Sequence, residues 1–501
     1  MQKFHSTVSR RDFMKFMGIT AAGLGAAGLV APAFHDLDEL AASTKGNQRR
    51  PWYVKEREFY NPTVETDWAV MQRRDPTNTG QQTEMWAKYY GQKRADEASA
   101  KGAANVKQWT ANKEPGFTYR ALALQKSVTR GWPAYVSLGW GGPTTNGTWT
   151  KGGGKAYTGV QSPEERGEAK WTGTPEENSQ LMNAFMRYCG NAISGYGPLD
   201  TDSREYKQII STNIKHNAAQ KVVFEDVPAG YETSTKRVIP TSHQYYLVNW
   251  EMMSHDLSRT TPAQGGLFNS SDHVATILKP STFNFLRYLG YGYVGGGSDD
   301  GTPFVEGASA ILTGVCEGSR NNVFSLTPEY GPIGRLHNYV TNLPLAATKP
   351  IDAGMFKFCY TCGKCANNCP SGSISTASEP TWEIPDINGI PSTMHNRGTK
   401  EFWSDGALCR MWRTEYGTSC NKCWGECTFT TNSRAMVHSM IKTTIATASI
   451  SPLNSFFAKM GDTFGYGTDD QKAEEWWDYS LPILGFDSTV VAFDGGYRKT
   501  L

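Results

Sequence analysis

Eight of the ten cysteines in this 501-residue chain fall into two short runs. The first run is Cys359-x2-Cys362-x2-Cys365-x3-Cys369, followed by a proline, and the second is Cys409-x10-Cys420-x2-Cys423-x3-Cys427. A four-iron cluster needs four thiolates that converge on one cube, and the first run has a spacing typical of paired clusters. Structural zinc sites, the alternative, prefer two separated C-x2-C pairs. The runs therefore predict two 4Fe–4S clusters.

The predicted ligand sets cross between the two runs, because the fourth cysteine of such a run typically binds the other cluster. The second run is the weaker signal, since its first cysteine is displaced and Thr428 stands where a proline is usual. The remaining cysteines are Cys189, which we predict to be a buried structural thiol, and Cys316. We expect one cluster on Cys359, Cys362, Cys365 and Cys427, and the other on Cys369, Cys409, Cys420 and Cys423.

The N-terminus carries the pattern of a twin-arginine export signal. Arg10 and Arg11 are followed by a mildly apolar stretch, Gly18 to Ala31, that is too short and too rich in glycine and alanine to span a membrane. A chance Arg-Arg pair before a helix is the alternative, and cleavage after Ala33 or near Ala42 is left open. Because clusters are inserted in a reducing cytosol, an exported cluster protein must travel folded. We predict a signal over residues 1–43.

Composition limits the remaining possibilities. The chain has 50 Lys and Arg against 48 Asp and Glu, a net charge of +2, which gives no support for nucleic-acid binding. Its length leaves room for more than one compact unit. No segment after the signal approaches a transmembrane length, so we expect a mature protein that is soluble or peripherally attached to a membrane.

Four regions are expected after the signal. Thr174, Pro175 and Glu177 form the start of a helix with a capping box, and Gly190 ends it. Further patterns predict strands over 221–227 and 237–240 and helices over 280–289 and around 437–445. Residues 44–155 are polar, with no clean periodicity. The regions are a polar and aromatic N-terminal region, an α/β domain, a cluster module and a helical and aromatic tail, over residues 44–155, 156–350, 351–430 and 431–501.

The clusters move single electrons, so bond chemistry needs a further cofactor. The triplet Gly295, Gly296 and Gly297 lacks the strand and helix context of a dinucleotide-binding motif, and a turn is its favoured interpretation. The sequence contains neither a P-loop nor a D-x-H-x-x-G stretch, so a bound corrinoid would not take its histidine from that motif.

From end to end, the chain resembles the catalytic subunits of the respiratory reductive dehalogenases. The shared features include the Arg10-Arg11 signal and both cysteine runs with the long gap after Cys409. They also include the segments Phe285-Leu-Arg-Tyr-Leu-Gly-Tyr291, Thr327-Pro-Glu-Tyr-Gly-Pro-Ile-Gly-Arg335, Thr341-Asn-Leu-Pro-Leu345 and Lys349-Pro-Ile-Asp-Ala-Gly354.

The resemblance implies a fold, cofactors and partners. The expected fold is α/β (α+β), with a nitroreductase-like core that holds a base-off corrinoid (cobalamin), followed by a ferredoxin-like module with two 4Fe–4S clusters. The expected function is removal of halide from an organohalide, such as a chlorinated ethene, in anaerobic respiration, with electrons passing from an upstream donor through the clusters to cobalt. The expected location of the protein is the outer face of the cell membrane, beside a small integral-membrane anchor protein. Whether it forms a homodimer is left open.

Three catalytic residues follow from the resemblance. Arg335 matches the active-site arginine of the P-E-[FY]-G-P-x-x-R segment, where a permanent cation suits a leaving halide. The family tyrosine that donates a proton stands fifteen residues before the arginine of the F-[IL]-R-Y-x-G-Y segment, and here that position is Asp272. A solvated loop carboxylate is the alternative for Asp272, and Tyr246 is the second candidate donor. Ser298, with Gly295 to Gly297, is assigned to the corrinoid or substrate pocket.

Two other functions are weighed. Epoxyqueuosine reductase also joins a corrinoid to two clusters, but it is cytosolic, which the export signal disfavours. A non-catalytic exported electron-transfer subunit is the other alternative. Such a subunit would not need over 300 residues before the first cysteine run. A bound corrinoid would distinguish a corrinoid enzyme from this subunit.

Overall fold

The structure is a computed structural model, and the predicted signal lies outside the residues that it describes. Among the helices that are described, none has both the length and the apolar character needed to cross a bilayer. The described residues are 50–130, 140, 148–150, 156–158, 160–199, 209–215, 217–263, 272–295, 303–322, 326–417, 419–430, 436–448, 451–463 and 467–478.

The N-terminal region contains helices that the sequence did not predict. Its longest helix buries only Ala95, Ala98 and Gly102, and such small residues give little hydropathic periodicity. A Cβ at Gly102 would collide with the carbonyl of Thr414, so the helix packs closely on the helix that carries Cys409. The elements are β1 (Lys55–Glu56), α1 (Thr83–Tyr90), α2 (Gln92–Asn112), α3 (Tyr119–Arg130), β2 (Thr148–Thr150) and β3 (Ala156–Thr158).

The central region alternates helices and strands, as the sequence predicts. Its elements in chain order are α4 (Pro163–Arg166), α5 (Pro175–Tyr188), β4 (Ile193–Pro198), β5 (Asn213–Ile214), β6 (Asn217–Glu225), β7 (Tyr231–Glu232), β8 (Lys236–Pro240), β9 (Tyr245–Met252), α6 (His255–Arg259), α7 (Asp272–Leu289), β10 (Tyr293–Gly295), α8 (Glu306–Leu312), β11 (Gly334–Thr341) and β12 (Ile351–Asp352).

The predicted start of α5 is confirmed. The Thr174 side chain accepts a hydrogen bond from the Glu177 amide at 3.2 Å, and the Glu177 carboxylate accepts one from the Thr174 amide at 2.8 Å. Pro175 occupies the first helical position. Helix α7 differs from the prediction because it begins at Asp272 and contains Pro280 in its interior. Pro280, which the sequence places at the start of this helix, therefore lies inside a longer helix.

A four-stranded antiparallel sheet, in the order β10-β11-β9-β4, forms the centre of this region. Its register pairs Arg335 with Glu251 and Tyr339 with Leu247. Side chains alternate between the two faces of a strand, so these four residues share one face. The core cluster on that face includes Leu247 and Tyr339 and residues of the covering helices α5 and α7, such as Met186 and Phe283. The opposite face packs on a second sheet, ordered β5-β6-β8-β7.

Phe283 is fully buried between α7 and the central sheet. Its ring stacks on Tyr293 with centroids 4.0 Å apart and meets Tyr339 edge to face at 5.8 Å. We expect Phe283→Ala to lower the free energy of unfolding by about 4 kcal/mol, because it removes a large buried ring and leaves a cavity. Urea unfolding of the anaerobically purified protein would measure this. Tyr188→Ala, at a side chain that is 91% exposed, should change the midpoint little, and equal effects would contradict the assignment.

The cysteine-rich segment shares its core with the C-terminal tail. Phe358 and Phe429 pack at 5.2 Å, and Ile445 and Phe457 of the tail join the same cluster. The predicted helix around 437–445 is confirmed. The remaining elements are α9 (Met355–Cys362), α10 (Lys364–Asn367), α11 (Gly406–Tyr416), α12 (Lys422–Gly425), α13 (Met436–Ala448), α14 (Ser451–Thr463) and a 3₁₀ helix (Asp470–Asp478).

Candidate functional site

Each cysteine run contains a tight turn that leads into a short helix. In Cys362-Gly-Lys-Cys365 the residue after the first cysteine, Gly363, has φ 63°, and in Cys420-Asn-Lys-Cys423 the equivalent Asn421 has φ 51°. Glycine and asparagine are the residues that adopt this left-handed conformation most readily. Each of them immediately precedes a short helix, α10 or α12. The two C-x2-C turns are therefore built alike.

The first group of thiols contains Cys359, Cys362, Cys365 and Cys427. Burial raises the pKa of Cys359 well above its ordinary value, and the neighbouring Cys365, Cys362 and Cys427 raise it further. Burial likewise raises the pKa of Cys427 to about 12, with Cys362 adding to the effect. Helix α9 contributes two of these thiols and α10 the third. The four side chains are thus close enough to influence one another's ionisation.

The second group contains Cys369, Cys409, Cys420 and Cys423. Burial raises the pKa of Cys420 to about 12, and Cys409 and Cys369 contribute. Burial also raises the pKa of Cys423 well above its ordinary value, with Cys365 of the first group as its strongest thiol neighbour. The membership of both groups is that of the crossed ligand sets. Helix α10, which carries Cys365, packs against helix α12, which carries Cys423, so the two groups lie next to each other.

The pKa of Cys369 shifts in the direction opposite to those of Cys409, Cys420 and Cys423. Burial acts to raise it, but hydrogen bonds from the hydroxyls of Ser371 and Ser373, with sulfur-to-oxygen distances of 3.3 and 3.5 Å, and from the backbone amides of both serines together lower the pKa of Cys369. Hydrogen bonds to sulfur are also one of the factors that tune a cluster's potential.

The donor set fits iron–sulfur clusters chemically. All ten cysteines are free thiols, so no disulfide competes for them. Thiols buried beside other thiols resist ionisation, whereas a bound metal ion deprotonates a coordinating thiol outright. Within the described ranges, no three His, Cys, Asp or Glu side chains form a group arranged to hold one metal ion. Cys189 is half-buried and Cys316 buried, and both lie in the central region outside the two groups.

Arg335 lies near the start of β11 and is half-buried. Directly across the ladder on the same face is Glu251, which is fully buried. The Glu251 carboxylate lies 2.9 Å from Nδ1 of His337, which is also buried. Two residues along a strand point to the same face, so Arg335, His337 and Glu251 form one polar cluster beneath helix α5. The sequence analysis missed Glu251 and His337, because only the strand register brings them to Arg335.

The other predicted catalytic and pocket residues do not join Arg335 in the described part of the structure. Tyr246 pairs with Val340 and therefore lies on the opposite face, where its ring packs over Gly197 in the core. The side chain of Asp272, the first residue of α7, lies outside the described residues, as do Gly296, Gly297 and Ser298. Gly295 ends β10 with φ 99°, a conformation that explains a glycine there without a ligand.

A sequence model of the family described as reductive dehalogenase subunit matches residues 49–345. The chain belongs to the reductive dehalogenase family. A chloroethene reductive dehalogenase of Dehalococcoides mccartyi strain VS is 28% identical over 97% of this chain and 99% of its own length. A tetrachloroethene reductive dehalogenase of Sulfurospirillum multivorans is 30% identical over 59% of this chain and 55% of its own length. The predicted enzyme class, an oxidoreductase that removes halide, is confirmed.

Solved reductive dehalogenase structures share the fold. One, described by its authors as suggesting a mechanism for B12-dependent dehalogenation, superposes with a TM-score of 0.55 at 16% identity, over 90% of this chain and 55% of that chain. The catabolic enzyme NpRdhA with 3-bromo-4-hydroxybenzoic acid gives a TM-score of 0.53 at 17% identity, over 89% of this chain and 54% of its own. The chain therefore spans about half the length of these solved chains. The mixed α/β fold class is confirmed.

Proposed function

We propose that this reductive dehalogenase removes chloride from chlorinated ethenes, with two 4Fe–4S clusters and a corrinoid as its cofactors. The observation that carries the proposal is the arrangement of eight cysteines in two interacting groups of four, inside a chain of this family. The choice of substrate rests on relatives named for chloroethene and trichloroethene, which match over almost their whole length.

The overall reaction balances with two electrons and one proton. The carbon–chlorine bond breaks, the chlorine leaves as chloride with the electron pair, and the carbon takes the two added electrons as a new bond to a proton. A single 4Fe–4S cluster passes one electron at a time, so two clusters in series deliver the pair in successive steps. The packing of helix α10, which carries Cys365, against helix α12, which carries Cys423, supports a short path between the clusters.

The proposed ligand sets are the two groups of thiols. Cys359, Cys362, Cys365 and Cys427 would hold one cluster, and Cys369, Cys409, Cys420 and Cys423 the other. The finer fold description belongs to the same proposal, namely a nitroreductase-like core over residues 156–350 and a ferredoxin-like module over 351–430. The sharing of core residues between this module and the tail suggests that the module depends on residues 431–501 for its packing.

Polar atoms around Arg335 fit a corrinoid, whose ring carries amide side chains. Nε2 of His337 and Oε2 of Glu251, on the same face of the sheet as Arg335, are buried without a hydrogen-bond partner in the described structure. Buried polar atoms normally have partners, so these unsatisfied atoms favour a polar ligand beside Arg335. When bound, the corrinoid supplies the cobalt centre at which the carbon–halogen bond is reduced.

Arg335 is the proposed electrophilic residue of the site. Its guanidinium carries a permanent charge, and halide departure develops negative charge that a preorganised cation stabilises. The buried carboxylate of Glu251 across the ladder would hold that cation in place. Asp272 and Tyr246 remain the predicted proton donors, although the position of Tyr246 on the opposite face makes it the less favoured of the two.

The location and partners are also proposals. The Arg10-Arg11 pattern supports export by the twin-arginine route to the outer face of the cell membrane, where a small integral-membrane protein would anchor the chain. Electrons would come from an upstream donor. Fractionation of cells that make the chain with and without a candidate anchor tests this, since membrane retention of the mature chain alone would contradict the need for a partner.

The test of function is chloride release by the anaerobically purified holoprotein with reduced methyl viologen as the electron source. We expect release from trichloroethene or vinyl chloride, with one chloride formed for every two viologens oxidised. The same assay on chlorinated alkanes and phenols measures the substrate range. A protein that carries both kinds of cofactor yet releases no chloride from any of these compounds would contradict the proposal.

A further inference from the structure

Helix α9 carries Cys359 and Cys362, and both of its ends are bound by side chains from one short segment of the central region. That segment, residues 317–320, lies between α8 and β11, and we call it the 317–320 clamp. Glu317 binds the N-terminal end of the helix and Arg320 binds the C-terminal end. Neither residue belongs to a cysteine run.

At the N-terminal end, the fully buried Glu317 carboxylate accepts three backbone hydrogen bonds. The donors are the amides of Ala353 at 2.8 Å, Met355 at 2.8 Å and Phe356 at 3.2 Å. The first amides of a helix have no partners within the helix, and the Glu317 side chain supplies acceptors for them. Glu317 therefore fixes where α9 begins.

At the C-terminal end, Arg320 is 2% exposed and binds the carbonyls that the helix leaves free. Nε and Nη2 donate to the Cys359 carbonyl at 3.0 and 2.6 Å. Nη1 donates to the carbonyls of Ser375 and Ala377 at 2.8 and 2.6 Å, so the segment after Cys369 is held as well. The guanidinium also lies 4.1 Å from the ring of Phe402, and its planar fork suits this many partners.

The clamp is itself held rigidly. The Glu317 amide and carbonyl exchange hydrogen bonds with Leu326, both at 2.8 Å. A Cβ at Gly318 would collide with Val64 of the N-terminal region, so the backbone packs tightly against that region. Motion of α9 relative to the central region would have to break the contacts at both helix ends.

Arg320 also places a buried positive charge beside the first group of thiols. Its hydrogen bonds go to neutral carbonyls, so no bond of this set cancels its charge. Its guanidinium lies against the backbone of Cys359, a member of that group, with Nε and Nη2 at 3.0 and 2.6 Å from the carbonyl oxygen. Reduction adds one negative charge to a cluster, and a buried cation stabilises the reduced state most strongly at short range and low dielectric.

We propose that the 317–320 clamp positions the first cluster against the central region and that the Arg320 charge raises its reduction potential. Both residues act through the helix rather than on the substrate, so they are positioning residues. The inference rests on the proposed function, because it requires a cluster bound to the first group of thiols.

The test compares Arg320→Met, Arg320→Lys and Arg73→Met by redox titration followed by EPR spectroscopy of the holoprotein. Arg73 is the matched control, because its guanidinium also binds backbone carbonyls, those of Ile210 and Val222, in the central region. We expect Arg320→Met to lower the potential of one cluster and leave the other unchanged. Arg320→Lys keeps the charge, so it should restore most of the potential while altering the line shape of that cluster.

Unchanged potentials and line shapes in both Arg320 variants would overturn the proposal. It would also be overturned if Arg320→Met shifted the potentials of both clusters by the same amount as Arg73→Met does. If Arg320→Met does not accumulate, the EPR line shape of Arg320→Lys is the deciding measurement. A changed line shape in one cluster supports the proposal, and an unchanged one overturns it. A wild-type protein without iron would instead refute the proposed function, so the two failures are distinguishable.

Discussion

Replacing Cys362 and Cys427 together by alanine is expected to destroy one cluster and leave the other intact. Both thiols belong to the first group, although they come from different runs. A cube that loses two of its four thiolates has too few ligands to persist, so iron should fall from about eight to about four atoms per chain. Iron and acid-labile sulfide analysis of the anaerobic protein, with EPR of the remaining cluster, would measure the change. Turnover with reduced viologen should be lost.

A second pair of substitutions distinguishes the crossed ligand sets from sets confined to one run. Cys362→Ala with Cys369→Ala removes one thiolate from each crossed set, so both EPR signals should then change, whereas sets confined to one run would lose both thiolates from a single cluster. If each run instead held its own cluster, the pair Cys362 and Cys427 would damage both clusters, which would contradict the crossed assignment. Cys189→Ala and Cys316→Ala are controls that should retain about eight iron atoms.

Arg335→Met is expected to lower kcat for chloride release at least ~100-fold, the size of effect seen when a preorganised donor to developing charge is removed. Arg335→Lys should recover part of the loss, because it keeps the charge without the planar fork. Iron and cobalt content should stay at the wild-type level in both variants. The measurement is initial rates over a range of trichloroethene concentrations, which separates kcat from KM.

The control for Arg335 is Arg120→Met. Arg120 is a half-exposed arginine that pairs with Glu474 at 2.9 Å and lies outside the polar cluster. Its loss should change the rate less than twofold, since exposed ion pairs contribute little. A normal kcat in Arg335→Met would remove Arg335 from the site. A loss of cobalt or iron in that variant would mean that the arginine supports cofactor binding and not the chemistry.

The sequence was most informative where function depends on spacing along the chain. The C-x2-C runs predict two crossed ligand sets, because a short turn can present its sulfurs in few ways, and those sets stay a prediction. The capping box at Thr174 and Glu177 also depends on spacing along the chain, and it is confirmed.

The sequence was least informative where contacts depend on distant pairing. Glu251 and His337 meet because β9 and β11 pair in one particular register, and a shift of one residue would turn Glu251 to the other face. The same alternation separates Tyr246 from Arg335. Helix α2 was not predicted, because it packs through Ala98 and Gly102, and such small residues leave no apolar stripe in the sequence.

The most direct test of the central claim is the cofactor content of protein purified without oxygen from a host that supplies corrinoid. Two 4Fe–4S clusters and one corrinoid require about eight iron, about eight acid-labile sulfide and about one cobalt per chain. We expect those values. About eight iron with no cobalt would leave an electron carrier and contradict a corrinoid-dependent dehalogenase.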